Sequence, residues 1–450
     1  MPRILLNFIL LISISGFTPA QKLLTLNDAI KIALQRNSTL KKTENNLDKY
    51  NSNVKAAYGA FLPSLGANAG ANWSRSESSG GETFVYQGKT FTTDPTTTET
   101  RNYSVGAGAN IDLFDGLSNI ANLSQAKNNL ESAELYFERV KQDIVFNTIN
   151  LYYAVVNNQQ LLKVKDDNVK WNKRQLETIT EKNKLGAVTL ADVYSQQVQY
   201  GNAELDLVKT KNTLESAKAD LLDYLGLNVL DNYQYSDSLS SQELSILNQK
   251  LSEQYDNVSQ LVEEALNKRT DYQSVQLDYK SAENGITKAW SGYLPRLTGS
   301  ANFNTYANTV NKLFKSRNYS AGLTLSLPIF SNFNTENQVE IATVNAMNQQ
   351  IAVNDLERQI KKNLQSTYLD LQAAEKALEV DKRNVESAQD SHKIESEKYS
   401  LGSGTLLYVL IANSNYTTAL TEYINAQFAY VKLNEQLKYY LGVLDYKKFE

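Results

Sequence analysis

The sequence predicts a mainly α-helical protein with a transmembrane β-barrel portion, in which one helix, strand, strand, long helix, helix unit is used twice. Three observations lead there. Ser118 to Lys184 runs for about 67 residues without proline or glycine until Gly186 closes it. As a helix rising 1.5 Å per residue it would reach roughly 100 Å, far beyond an ordinary globular helix. Its apolar residues Leu123, Ala126, Leu130, Ala133, Phe137, Val140 and Ile144 alternate three and four apart, the seam of helices packed side by side. The seam returns 216 residues later at Val339, Ala342, Ala346, Gln349, Val353, Leu356 and Ile360, so the long helix is built twice, over 117–185 and 333–400. The third observation is a period-two pattern ahead of each long helix.

Residues 1–20 have the pattern of a secretory signal. Arg3 supplies the positive start, Ile4 to Ile14 a short apolar run, and Thr18-Pro19-Ala20 the small residues before a cut at Gln21. That run falls short of the roughly 20 apolar residues of a membrane anchor, and no other stretch qualifies. The chain has no cysteine, hence neither a disulfide framework nor a thiol for lipid attachment. A formal net charge of -4 without a dense basic run gives no nucleic-acid signal, and no nucleic-acid partner is expected.

The first repeat is expected over 21–227 and the second over 258–443, with an inter-repeat segment 228–257 and a C-terminal tail 444–450. Prolines mark the junctions. Ala57 to Leu65 (AYGAFLPSL) aligns with Ala289 to Leu297 (AWSGYLPRL) at an offset of 232, so Pro63 and Pro295 each end a helix of about 35 residues that starts near Thr25 or Val258. Strands follow at 64–74 and 101–114, and again at 296–306 and 317–329. In the first, Leu65, Ala67, Ala69, Ala71 and Trp73 alternate with small or polar residues. Each run is long enough for a tilted strand to cross a bilayer. A half-exposed sheet in a soluble domain would fit the alternation equally. The export signal, and aromatic residues at the strand ends such as Trp73, Phe114, Tyr293 and Phe330, favour a barrel with interfacial girdles. Ser74 to Thr100, rich in Ser, Thr and Gly, reads as an external loop longer than its counterpart by 16 residues, the difference between 232 and 216.

Each long helix ends at a Leu-Gly pair, Leu185-Gly186 and Leu401-Gly402, where the chain must reverse. Helices from about Leu190 to Leu225 and Leu406 to Leu441 return. Stacked on the helix before the strands, each returning helix matches the length of the long helix beside it. The segment 228–257 is polar and turn-rich and is expected to lie beside the helices as a belt, together with the tail.

Catalytic chemistry finds no foothold. The single His392 reads as a solvated histidine in mid-helix, and acid pairs such as Asp166-Asp167 and Glu263-Glu264 have no His or Cys neighbour. There is no phosphate loop, dinucleotide fingerprint or nucleophile elbow. No catalytic residue, metal site or cofactor is expected, and the protein is read as no enzyme.

Four strands cannot close a barrel, and open edges are not tolerated in lipid, so several chains must share one barrel; three would give about twelve strands and an aqueous lumen. With the YLP-type junctions at Pro63 and Pro295, the LFDG motif at Leu113 and the LG turns at Leu185 and Leu401, the chain resembles the TolC-like outer-membrane channel proteins. The resemblance covers essentially the whole mature sequence. It implies a homotrimer with a twelve-stranded barrel in outer-membrane lipid and a periplasmic α-helical barrel. It also implies partners: a periplasmic adaptor (membrane fusion) protein and an inner-membrane transporter of a tripartite efflux pump or type I secretion system. A non-channel periplasmic coiled-coil or adhesin-like structural protein is the alternative.

The resemblance further implies sites. Leu185, Gly186, Ala187 and Leu401, Gly402, Ser403 become the tips that dock the adaptor, although each glycine alone serves equally well to end a helix. In the family the returning helices form the periplasmic aperture, and some members place two acids three apart after the second tip. Aligning Gly402 with the family's tip glycine puts Tyr408 and Ile411 there, and the first repeat keeps Asp192 as the equivalent of Tyr408. A carboxylate ring would bind multivalent cations. Tyr408 and Ile411 cannot, so closure by apolar and aromatic packing is expected, unless these two pack between helices and the constriction lies elsewhere.

Overall fold

The computed structural model describes residues 22–236 and 238–449; the signal segment expected at 1–20 lies outside the described residues. In chain order the elements are β1 (Lys22–Leu24), α1 (Leu26–Arg36), α2 (Ser38–Gly59), β2 (Ser64–Ser78), β3 (Thr83–Tyr86), β4 (Lys89–Thr92), β5 (Thr96–Phe114), α3 (Ser118–Lys184) and α4 (Leu190–Tyr224). There follow β6 (Tyr233–Tyr235), α5 (Ser241–Ile246), α6 (Leu251–Gln254), α7 (Val258–Lys268), α8 (Thr270–Trp290), β7 (Arg296–Ala307), β8 (Asn318–Ser326), α9 (Asn334–Ser400) and α10 (Leu406–Leu441). They form two compact units, one of residues 43–137 and 270–358 and the other of the remaining described residues. Each unit draws on both repeats.

In the strand unit, β2, β5, β7 and β8 make one antiparallel sheet in that order. β2 and β5 outrun the expected 64–74 and 101–114. Ser74 to Ser78 pairs with Thr100 to Thr96, and the supposed loop beyond carries a separate hairpin, β3 with β4. Hydroxyl-bearing residues supply this ribbon: Ser74 Oγ lies 2.6 Å from Thr100 Oγ1 on one face. The last strand is shorter than the expected 317–329. Ser326 pairs with Arg296, the first residue of β7, so nothing stands opposite 327–329, and Pro328 has no N–H to offer a ladder. Helix α8 packs on α3 through small polar side chains, with Ser132 Oγ 2.9 Å from Ser274 Oγ and donating to Asp278 Oδ1 at 2.6 Å.

The helical unit holds the buried seam. Val140, Ile144, Val155 and Val156 of α3, Leu221 of α4, Ile360, Leu364 and Leu371 of α9 and Val431 and Leu437 of α10 are buried. Burying each such side chain contributes roughly 1.5–3 kcal/mol. The helices expected to run unbroken from Thr25 and Val258 are each broken once, at Asn37 and at Arg269, positions 232 apart like their junction prolines. Both residues take extended ψ, 127° and 116°, and turn their side chains under a returning helix. Asn37 Nδ2 donates to Tyr224 O at 3.1 Å, and Arg269 Nη1 to Tyr440 O at 3.4 Å. Both acceptors are end carbonyls that lack intrahelical partners.

The inter-repeat segment fastens across this unit. β6 pairs in parallel with β1, and Tyr152 of α3 donates to Leu24 O at 3.2 Å. Tyr153 of α3 donates to Glu243, Leu251 N–H donates to Tyr430 Oη of α10 at 3.1 Å, and Ser252 N–H to Glu375 Oε1 of α9 at 2.8 Å. Burial first, and then the Glu243 carboxylate, push the Tyr153 phenol up.

Candidate functional site

The two tips have one backbone. In the first, Ala187 N–H donates to Lys182 O at 2.8 Å and Gly186 N–H to Asn183 O at 2.9 Å; in the second, Ser403 N–H donates to Lys398 O at 2.9 Å and Gly402 N–H to Tyr399 O at 3.2 Å. This paired pattern needs a left-handed residue at the turn, which Gly186 (φ 70°) and Gly402 (φ 77°) supply. It throws the preceding leucines outward, leaving Leu185 83% and Leu401 82% exposed. No other described part of this unit covers them, so both turns present apolar side chains with exposed glycine beside them.

The helices that leave the tips start differently. Thr189 caps α4, and Asp192 answers it: its Oδ2 accepts from Thr189 N–H at 3.0 Å and from Thr189 Oγ1 at 2.7 Å, while Asp192 N–H donates back to Oγ1 at 3.2 Å. Thr405 occupies the same place before α10, but its side chain makes no cap bond, and Tyr408 stands where the acid would be. Tyr408 is 58% and Ile411 46% exposed, with exposed Leu407 beside them, while Leu406, Val409 and Ala412 on the other side of α10 are buried. The sequence-derived aperture residues thus have different local settings. Tyr408 and Ile411 share a face of α10 that nothing in the chain covers, and Asp192 is committed to the start of α4.

The residues that link the helices near the tips had no sequence signal. Lys182 Nζ sits 4.4 Å from the centre of the Tyr399 ring. Burial, and then the Asp192 carboxylate, push the Tyr399 phenol up. Further along, Gln196 of α4 is fully buried and donates through Nε2 to Asn172 O at 3.0 Å, and Asn413 of α10 donates through Nδ2 to Asn168 Oδ1 at 2.9 Å. His392 is half-buried instead of fully solvated. Its ring lies between Trp171, at 5.4 Å edge-on, and Tyr416, at 5.9 Å in a stack, its Nε2 is buried, and burial lowers its pKa. A lone histidine in a charged helical stretch gives no hint of two aromatic partners from other helices. Among the described residues no three His, Cys, Asp or Glu side chains gather as metal ligands, and no helix is long and apolar enough to cross a membrane.

A four-stranded sheet apolar on one face, joined to paired helices that reverse at glycine tips, defines the class of outer-membrane channels with a periplasmic helical tunnel. The family described as outer membrane efflux protein matches residues 29–227 and 261–443, and the chain belongs to it. Outer membrane protein TolC of Salmonella enteritidis is 24% identical over 98% of this chain and 86% of its own length. Among solved structures, the outer membrane protein VceC of Vibrio cholerae superposes with a TM-score of 0.77 at 19% identity, covering 93% of this chain and 96% of that one. The CmeC outer membrane channel of Campylobacter jejuni gives 0.77 at 16% identity, covering 94% and 88%. The protein is an outer-membrane efflux channel with its helical tunnel in the periplasm.

Proposed function

We propose that three copies of this chain form the duct, and that it is a passive conduit with no catalytic role, completed by a periplasmic adaptor and an inner-membrane transporter. The observation that carries the reading is the pair of open edges on the sheet. β2 and β8 each have one neighbour, and in lipid every unpaired backbone group costs several kcal/mol, so β8 must pair with β2 of another copy. The helical unit supports the same closure. Side-chain contacts join α4 to α3, and α3 to both α10 and α9, while α4 and α9 each keep an exposed stripe. α4 exposes Tyr194, Val198, Leu205 and Val208 on a heptad stripe, and α9 exposes Ala377, Ser387, Ser391 and Ile394 on another.

In this reading Leu185, Gly186, Ala187 and Leu401, Gly402, Ser403 meet the adaptor, and Tyr408 and Ile411 close the periplasmic aperture by apolar packing. Outer-membrane fractions run unheated on a denaturing gel test it. A heat-resistant species of three chains is expected; a soluble periplasmic monomer would return the protein to the adhesin-like class.

A further inference from the structure

The two faces of the sheet differ in chemistry from edge to edge. Residues paired across strands share a face. Leu65, Ala109, Ala301 and Ala321 stand in one row of the apolar face, and Leu323 belongs to the next. On the other face Asn68, Gly106 and Asn304 form one row, and Gly108, Asn302 and Ser320 the neighbouring row. Along 64–74, 100–110, 298–306 and 318–326 that second face carries no charged side chain at all. The first charges appear at its rim, where Arg296 Nη2 lies 2.7 Å from Asp112 Oδ2 and the two cancel. Arg75 and Glu99, beyond Trp73, belong to the apolar face.

The glycines are part of this surface. A Cβ at Gly106 would stand 2.6 Å from Asn304 Oδ1 and 2.8 Å from Asn68 Oδ1, and one at Gly108 would stand 2.8 Å from Asn302 Oδ1. The amides thus lie down across the glycine gaps and tile the face with groups that both donate and accept hydrogen bonds. Because the apolar face meets lipid, the amide face lines the lumen.

Building on the duct reading above, we infer that the barrel wall is electrically neutral by construction and discharges anionic, cationic and uncharged polar solutes alike. A lumen lined by one sign of charge between low-dielectric walls changes the local concentration of a charged solute by about 10- to 1000-fold. An amide wall does not, and its many weak hydrogen bonds can be exchanged one by one as a solute moves. Selection by charge therefore falls to the helical tunnel and to whatever loads it.

The absence of cysteine makes the wall directly measurable. Ser320→Cys puts one thiol on the amide face in a nearly isosteric exchange, and Leu323→Cys puts one on the apolar face. Full-length variants in intact cells are exposed to a cationic (trimethylammonium) and an anionic (sulfonate) methanethiosulfonate, and rates are normalised to those of a small free thiol. For Ser320→Cys the two normalised rates should agree within about twofold, and adding Asn304→Asp should tilt the ratio about tenfold toward the cation. A ratio of about tenfold or more without the added acid, or no tilt with it, would overturn the neutral wall. Faster labelling of Leu323→Cys than of Ser320→Cys would instead overturn the assignment of faces and with it the duct reading.

Discussion

The two repeats reverse direction with the same turn and then part company. Both tips use a left-handed glycine and the same pair of backbone bonds, so duplication preserved the geometry. One turn later the first repeat has a closed polar cap, Thr189 with Asp192, and the second has exposed Leu407, Tyr408 and Ile411. The turn is fixed by the need to satisfy end carbonyls, which only a few conformations meet. The residues after it are held by no such requirement and were able to diverge. The joints of the helical unit show the same division, with Asn37 and Arg269 performing one task with side chains of different charge.

The largest effect is expected at the tips themselves. Glutamate at both Ala187 and Ser403 should abolish export measured by substrate accumulation in cells, with the three-chain species intact on the gel. Undiminished export would remove the docking role of these turns.

The joints should differ in degree. Arg269 is buried, and Arg269→Ala strips Tyr440 O of a charged donor and leaves a hole against Gly442. It should cost about 3 kcal/mol. Asn37→Ala loses neutral bonds to Tyr224 O and from Thr39 N–H and should cost about 1–2 kcal/mol. Apparent melting in detergent, followed by far-ultraviolet circular dichroism, should fall further for the arginine variant; equal losses would mean that the joints do not use their side chains as described.

His392 adds a pH term. Burial depresses its pKa in the folded state, so the neutral form contributes stability that is whole above the unfolded value of 6.5 and is lost as pH falls through and below it. Melting temperature should drop between about pH 7 and pH 5, and His392→Phe should flatten that slope. A slope unchanged by the substitution would show that the ring titrates as if in water.

The caps give the smallest difference. Thr189→Ala should cost about 1 kcal/mol, the loss of a capping box, whereas Thr405→Ala should be nearly neutral because its hydroxyl caps nothing. Equal effects would mean that the second tip has a cap the structure does not contain.

Much of this was legible in the sequence. The long helices follow from heptad spacing without proline or glycine, and the strand cores from alternation after Pro63 and Pro295. The outer ribbon was not legible, because a Ser and Thr run offers hydroxyl pairs instead of an apolar face to read. The helix breaks were hidden for a different reason. Neither Asn37 nor Arg269 is a breaker by propensity, and both are pulled out of the helix by carbonyls 187 and 171 residues away. At the tips, the family resemblance pointed to Tyr408 and Ile411 and the repeat offset from Tyr408 to Asp192, but only the structure showed Asp192 tied into a cap and the other two left exposed.

The most direct measurement of this account is multivalent-cation block of the purified channel in a planar bilayer. If Tyr408 and Ile411 close the aperture as proposed, the unmodified channel should be blocked only weakly from the periplasmic side, and Tyr408→Asp with Ile411→Asp should create strong block. Tight block of the unmodified channel that disappears in Asp192→Asn would contradict it, placing the pore ring on the first repeat.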